Sequence, residues 1–185
     1  MQIAQRTIGI EAPPFIIAEM SGNHNQSLAR ALDIVDAAAD AGAHGLKIQT
    51  YTAETMTLDL STDEFVINDR DSLWDGQSLY RLYEEAHTPW AWHPAIFARA
   101  RQRGLIPFST PFDETAVDFL ETLDTPCYKI ASFEMTDLPL IRKVAATGKP
   151  LIISTGMASA GEIDETVRTA RASGLIRIRP CAYSF

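Results

Sequence analysis

Short apolar runs alternate with amphipathic segments along most of the chain. Five runs have this character, at residues 15–20, 45–50, 106–111, 127–132 and 151–156, and polar residues follow each of them. Runs of this length and composition are typical of strands that are buried on both faces of a parallel sheet. The pattern therefore predicts five parallel strands whose polar ends share one edge of the sheet, where active sites of such folds are built.

The segments between the runs predict helices, because their apolar residues recur at helical spacing. The first helix lies at 28–39, with Ser27 as its amino-terminal cap and Gly42 as its stop. Residues 51–87 predict an insertion after the second strand, with a helix at 79–86. Further helices are predicted to begin at Pro89, Asp113, Leu138 and Ser159.

The spacing of the later runs predicts the fold class. Strand starts near 106, 127, 151 and 175 lie about 21 to 24 residues apart, which is the length of one βα unit. We therefore predict an α/β fold, an incomplete (β/α)8 TIM barrel with five to six of the roughly eight units that closure requires. A doubly wound open sheet fits the same pattern, but no glycine-rich nucleotide fingerprint follows the first strand.

The last residues depart from the pattern of the buried strands. Residues 175–185 begin like a sixth strand, but Arg177, Arg179 and Pro180 suit a buried central strand poorly. We therefore expect the chain to be truncated or frame-disrupted after about residue 175.

Composition and charge exclude several classes of partner. The 185 residues include 46% hydrophobic residues and carry a formal net charge of −8, which disfavours nucleic acid. No apolar run approaches the roughly 20 residues that a membrane helix needs, and the first residues lack a signal-peptide core. The two cysteines, Cys127 and Cys181, do not form a disulfide framework, so we expect a cytoplasmic protein.

Two lysines carry most of the chemical information. Lys47 and Lys129 each stand inside an otherwise apolar strand, where an unpaired charge is costly. Together they indicate a phosphate or carboxylate site. Two alternatives stay open: an ion pair with Glu19 or Glu134, and a Schiff-base role for Lys129.

Other polar side chains at the predicted strand ends could complete such a site. Thr110, Ser132 and Ser154 could donate hydrogen bonds to phosphate oxygens, although each alone is typical of a cap or turn. Glu19 and Glu134 could bind sugar hydroxyls or move protons, or they could neutralise the lysines. His24 could be an acid, a base or a metal ligand, whereas an isolated loop histidine more often serves hydrogen bonding. The tryptophans are read as packing residues.

These strand ends resemble the sialic acid synthase family over residues 15 to 175 or so. The matching pieces appear in order, each at a predicted strand end. Within the family, the insertion is similar to the branch that forms pseudaminic acid, through Ser72-Leu73-Trp74-Asp75-Gly76 and the run 79–93. The strand-end pieces are Phe15-Ile16-Ile17-Ala18-Glu19 with Asn23-His24, Lys47-Ile48-Gln49-Thr50, Ser109-Thr110-Pro111-Phe112-Asp113, Tyr128-Lys129-Ile130-Ala131-Ser132 with Glu134, and Ile153-Ser154-Thr155-Gly156-Met157.

The resemblance implies a fold and a reaction. The reaction condenses phosphoenolpyruvate with an amino-sugar aldehyde, a 2,4-diacetamido-2,4,6-trideoxy sugar, to form pseudaminic acid and release phosphate. By position, phosphoenolpyruvate would be held by Lys47, Thr110, Lys129, Ser132 and Ser154. The sugar would face Glu19, Gln49 and Glu134, with His24 as a further candidate for catalysis.

The resemblance also implies parts that lie outside these residues. Residues 1–185 would be the first portion of the barrel domain, and a small antifreeze-like domain would follow and help close the partner's site in a homodimer. A divalent metal, usually manganese, would polarise the aldehyde, with two histidine ligands beyond residue 185. We therefore expect this chain alone to be catalytically silent. The alternatives are an N-acetylneuraminate or legionaminate synthase, a 3-deoxy-ulosonate synthase, a Schiff-base lyase, or an inactive truncated remnant.

Overall fold

A parallel sheet of six strands forms the centre of the structure. The computed structural model describes residues 1–174 and the backbone of residues 178–181. Each strand from β3 to β8 is hydrogen-bonded to the next one in the chain. In chain order the strands are β1 Gln2–Ile3, β2 Arg6–Thr7, β3 Ile17–Glu19, β4 Gly45–Thr50, β5 Ile106–Pro111, β6 Tyr128–Ile130, β7 Leu151–Ser154 and β8 Ile178–Cys181.

The strand order decides between the two predicted architectures. All five predicted strands form, and their order follows the sequence without the reversal that a doubly wound sheet would show. The sheet is therefore the curled sheet of a partial barrel, as the spacing predicted. β8 pairs with β7 at the edge of the described sheet, a position that tolerates Pro180. The predictions for residues 175–177 and 182–185 lie outside the described residues.

Helices follow the strands and cover the outer face of the sheet. Ser27 accepts a hydrogen bond from the Arg30 amide, and Ser159 forms the predicted capping box with Glu162. None of the helices in the described residues is long and apolar enough to cross a membrane. The helices are α1 Leu28–Asp40, α2 Ala53–Met56, α3 Leu79–Ala86, α4 His93–Gln102, α5 Glu114–Thr122, α6 Leu138–Ala146 and α7 Ala160–Ala172.

The helix that was predicted to begin at Pro89 begins later in the structure, so this predicted start is wrong. Residues Trp90–Trp92 form a short 3-10 turn, and α4 begins at His93 with Pro94 in its first turn. The Pro89 carbonyl accepts the Trp92 amide N–H at 2.9 Å, which is the i+3 bond of this turn, and it also accepts a hydrogen bond from His93 Nδ1 at 3.2 Å. The proline therefore begins a turn, and the α-helix follows it.

Successive side chains along a strand point to opposite faces of the sheet, so the buried residues form two groups, one on each face. Leu46, Ile48 and Ile130 point outward into the main core, which packs against the helices. Phe108 and its neighbours at alternating positions point to the inner face, where Ile3 of the β1–β2 hairpin packs against them. The amino-terminal end of the inner face is thus filled with apolar side chains. Polar side chains on the inner face are therefore concentrated at the carboxyl end.

Candidate active site at the carboxyl edge of the sheet

A cleft of about 520 Å³ opens at the carboxyl edge of the sheet, and we call it the lysine cleft. It brings together most of the predicted site residues. Ser21 and Ala131 also line it. The predicted residues in its wall are Glu19, Lys47, Gln49, Thr110, Lys129, Ser132 and Ser154.

The period of two in a strand explains why these residues meet. Lys47 and Gln49 stand two apart in β4, so both point to the inner face. Glu19 pairs in register with Lys47, and Gln49 pairs with Thr110 of β5. Ser109, one position before Thr110, points the other way and bonds the Thr50 hydroxyl at 2.6 Å. Alternation therefore selects which strand hydroxyls reach the cleft.

Lys47 forms an ion pair with Glu19 across the register of β3 and β4. This is the ion pair that the sequence allowed as an alternative for Lys47. The side chains are 15% and 38% exposed, so the pair lies at the open side of the cleft. A second oxygen of Glu19 accepts the Ser21 amide N–H at 3.1 Å, which fixes the carboxylate.

Lys129 is the more deeply buried lysine, with 5% of its surface exposed. Its Nζ donates to the Ser154 hydroxyl and to the Ile130 carbonyl, both at 2.6 Å. It also interacts electrostatically with Glu134. These contacts aim a buried positive charge at the inner face between β6 and β7, where it can receive an anion.

Two polar atoms beside these lysines have no hydrogen-bond partner among the described residues. They are Thr110 Oγ1 and Glu134 Oε2, and both are buried. Leaving a buried polar group unpaired costs about 1 to 3 kcal/mol, so such atoms are typical of sites completed by a bound molecule. Burial raises the pKa of Glu134, and the nearby Lys129 charge partly opposes that rise. The Glu134 carboxyl is thereby suited to hold a proton.

A second cavity of about 510 Å³ adjoins the lysine cleft, and we call it the aromatic chamber. The two cavities share Ser21, Gln49 and Ala131 in their walls, and the chamber is also lined by Glu134, which interacts electrostatically with Lys129 of the cleft. No lysine, arginine or histidine lines the chamber among the described residues. Its apolar wall is made chiefly of Tyr51, Met56, Trp74, Leu82, Tyr83 and Phe112.

The sequence analysis missed Ser21, which stands between the two cavities. Its backbone is left-handed, with a φ of 49°, which is uncommon for a residue other than glycine. Its hydroxyl donates to Gln49 Oε1 at 3.0 Å, while its amide bonds Glu19. Ser21 thus orients two residues of the lysine cleft. The positive φ is the feature that distinguishes Ser21, and backbone angles cannot be read from the sequence.

The structure does not bring His24 to either cavity. The ring is fully buried, its Nδ1 accepts the Gln26 amide N–H at 3.2 Å, and its Nε2 donates to Thr88 Oγ1 at 3.1 Å. Trp92 packs edge-on at 5.4 Å between ring centroids. Burial, followed by the charge on His87, lowers the pKa of His24, which favours this neutral ring. His24 therefore holds the β3–α1 loop in place, and the catalytic role suggested for it stays a prediction.

The described residues do not fit a resident metal. In residues 1–174, no three His, Cys, Asp or Glu side chains lie close enough together to hold an ion. The carboxylate in the lysine cleft, Glu19, is already paired with Lys47. The histidine ligands implied by the family resemblance stay a prediction, and no chemical step below depends on a metal.

The fold and the cleft define an α/β-barrel protein with two lysines at the carboxyl edge of its sheet. The NeuB family profile matches residues 34–181, and the chain belongs to this family. The resemblance to sialic acid synthases is thereby confirmed. The solved sialic acid synthetase of Leptospira borgpetersenii, in complex with citrate, superposes with a TM-score of 0.83 at 27% identity, covering 100% of this chain and 60% of that one.

Two curated relatives show which branches of the family are similar. The pseudaminic acid synthase of Helicobacter pylori is 46% identical over 159 residues, covering 86% of this chain and 46% of the relative. The N,N'-diacetyllegionaminic acid synthase of Campylobacter jejuni is 32% identical over 163 residues, covering 88% of this chain and 48% of the relative. The chain spans about half the length of these relatives.

Proposed function

We propose that the protein condenses phosphoenolpyruvate with a 2,4-diacetamido-2,4,6-trideoxy sugar aldehyde, forming pseudaminic acid and inorganic phosphate. One observation carries the proposal: a cleft with two lysines meets, at Ser21 and Gln49, a mainly apolar cavity that has no basic side chain among the described residues. An anionic and a neutral substrate would therefore touch where the two cavities join. The higher identity to a pseudaminic acid synthase than to a legionaminic acid synthase supports this sugar.

Phosphoenolpyruvate would bind in the lysine cleft. Lys129 and Lys47 would neutralise its carboxylate and phosphate groups, with Glu19 moving aside from Lys47 or turning to a sugar hydroxyl. The buried Thr110 hydroxyl, which has no partner among the described residues, would donate to the anion. Ser132 and Ser154 line the same wall and would add hydrogen bonds. Most of the rate would come from positioning and electrostatics.

The proposed reaction can be followed bond by bond. C3 of the enol forms a bond to the aldehyde carbon, and the carbonyl π electrons move to the aldehyde oxygen. That oxygen takes a proton, and we assign the Glu134 carboxyl as its donor, since Glu134 lines the chamber and burial raises its pKa. Water then adds to the cationic C2 and gives a proton to the Glu134 carboxylate, which restores the acid. The C2–O bond to phosphate then breaks, and phosphate leaves with the bridging oxygen. The hydroxyl left on C2 gives its proton to the departing phosphate as it becomes the keto group.

The test uses the protein that carries this chain at its full natural length. Phosphate release is measured with phosphoenolpyruvate labelled with ¹⁸O at the bridging position, with and without the sugar. The proposal expects release that requires both substrates, a nine-carbon acid as product, and the label in phosphate. Release without the sugar, or label retained in the acid, would reject it.

A Schiff-base reaction at Lys129 is the second candidate, favoured by the burial of that amine. Borohydride reduction in the presence of pyruvate distinguishes it, because an imine at Lys129 would be trapped as a stable adduct. Mass spectrometry of the peptide containing Lys129 then decides. The proposed condensation predicts no adduct.

The proposal also covers the cellular compartment and the oligomeric state of the protein. We propose a cytoplasmic enzyme that acts as a homodimer, as the family resemblance implies. Cys127 is buried as a free thiol, and burial raises its pKa, which fits a structural role in a reducing compartment. Sedimentation of the full-length protein gives the oligomeric state.

A further inference from the structure

The insertion after β4 builds one wall of the aromatic chamber. Leu82, Tyr83 and Ala86 lie on one face of α3 and line the cavity together with Met56 and Trp74. Tyr51, which follows β4, and Phe112, which follows β5, line the same cavity. The chamber therefore combines side chains of the barrel rim with side chains that the insertion supplies.

This wall is held in place by specific contacts. The Tyr51 ring packs edge-on against Phe112 at 5.4 Å and Tyr83 at 5.9 Å between centroids. The Tyr51 carbonyl accepts the Trp90 indole N–H at 3.2 Å. A Cβ on Gly22 would come within 2.8 Å of the Ala86 carbonyl, so the loop after β3 lies directly against α3. The chamber is thus preformed, as binding pockets usually are.

The chamber offers little to a hydroxyl-rich or charged group. Glu134 is the one carboxylate in its wall among the described residues, and it interacts electrostatically with Lys129 of the lysine cleft. Burial raises the pKa of Tyr51 to about 12, so this phenol stays neutral. Met56, Leu82 and Tyr83 line the chamber but not the lysine cleft, and Met56 and Leu82 present only apolar carbon and sulfur atoms. Burying a hydroxyl there without a partner is unfavourable, whereas burying a methyl group is favourable.

The position of the reacting carbon fixes which end of the sugar enters the chamber. The aldehyde carbon must reach phosphoenolpyruvate where the cavities join, at Gln49 and Ser21. The opposite end of the six-carbon chain then lies against the wall that the insertion builds. We propose that Met56, Leu82 and Tyr83 form a specificity pocket that selects sugars with a methyl group at C6 over sugars with a hydroxyl there. This inference rests on the proposed condensation.

The test compares two sugars that differ only at C6: the 2,4-diacetamido-2,4,6-trideoxy sugar and its 6-hydroxy counterpart. With saturating phosphoenolpyruvate, the ratio of kcat/KM for the pair reports the selectivity. An apolar pocket discriminates at this level by roughly 10- to 100-fold, and we expect that preference for the deoxy sugar. Leu82→Asn supplies a hydrogen-bonding group to the 6-hydroxyl, so the preference should fall by about tenfold or more.

Leu79→Asn is the matched control, since it makes the same change on the same helix at a position outside the chamber wall. The Leu79→Asn variant should keep the parent's preference for the deoxy sugar. Met56→Gln gives a second variant of similar length if Leu82→Asn loses its native circular dichroism. An unselective parent protein, or two folded chamber variants with the parent's selectivity, would overturn the inference. If neither sugar yields phosphate while phosphoenolpyruvate still binds by calorimetry, the proposed condensation itself fails.

Discussion

At the scale of single residues, Gly156 shows how little space the lysine cleft leaves. Its φ is +40°, and a Cβ there would come within 2.6 Å of Ser132 Oγ. A residue with a Cβ pays about 1 to 2 kcal/mol in this left-handed region, before any displacement of Ser132. We predict that Gly156→Ala weakens phosphoenolpyruvate binding about tenfold, equivalent to about 1.4 kcal/mol, in a calorimetric titration.

Gly161→Ala is the control for this change. It lies in the first turn of α7, where the nearest atom to an added Cβ is Ser159 Oγ at 3.9 Å. The control should bind phosphoenolpyruvate like the parent protein. Equal affinities for both variants and the parent would contradict the role given to Ser132.

The pH dependence of stability tests the environment of Glu134. Burial raises its pKa in the folded state, so its contribution to stability is complete below the unfolded pKa of about 4.3 and is lost as pH rises through the folded pKa. Glu134→Gln removes the carboxyl group and, with it, this loss of stability at higher pH. We predict that the unfolding free energy of the variant, relative to the parent, increases with pH above about 4.3. Urea denaturation at a series of pH values measures it.

Glu162→Gln should give the opposite slope. Its carboxylate accepts the Ser159 amide N–H, which lowers the pKa of Glu162. That contribution is present above the unfolded pKa and is lost as pH falls through the folded pKa, so the variant loses stability relative to the parent at neutral pH. Parallel slopes for the two variants would show that Glu134 is not desolvated as described.

At the scale of elements, the placement of α3 depends on the loop after β3. Gln26 Nε2 donates to the carbonyls of Glu85 and His87, both at 2.7 Å, and so closes the carboxyl end of the helix. We predict that Gln26→Ala destabilises the fold by about 1 to 2 kcal/mol and raises KM for the sugar more than KM for phosphoenolpyruvate. Gln102→Ala, an exposed change at the end of α4, serves as the control. Equal rises of both KM values would count against the assignment of α3 to the sugar side.

The elements also show what the sequence could and could not predict. The strands and most helix starts follow from apolar periodicity and caps such as Asp113, which accepts the Thr115 and Ala116 amides as expected. Alternation in β4 could likewise place Lys47 beside Gln49. His24 could not be placed this way, since its burial depends on Thr88 and Trp92, far away in the chain. The aromatic chamber was missed for the same reason.

At the scale of the whole molecule, positive charge is concentrated in one of the two cavities at the carboxyl edge of the sheet. The chain has a net charge of −8, yet Lys47 and Lys129 converge in one cleft, beside a chamber that no basic side chain of the described residues lines. This separation suits an anion and a neutral partner that must meet. The sequential order of β3 to β8 produces it, because parallel strands in a barrel present all their carboxyl ends on one side.

The affinity of the Lys129→Ala variant for phosphoenolpyruvate is the most direct measurement of the central claim. The ammonium is buried at the inner face, and removing one partner of a buried charge contact costs about 3 to 5 kcal/mol. We predict that calorimetry finds at least a roughly 100-fold weaker Kd with native circular dichroism. Lys143→Ala, which removes an exposed pair with Asp118 on the outer helices, should leave the Kd unchanged. A folded Lys129→Ala protein that binds phosphoenolpyruvate as tightly as the parent would contradict the account.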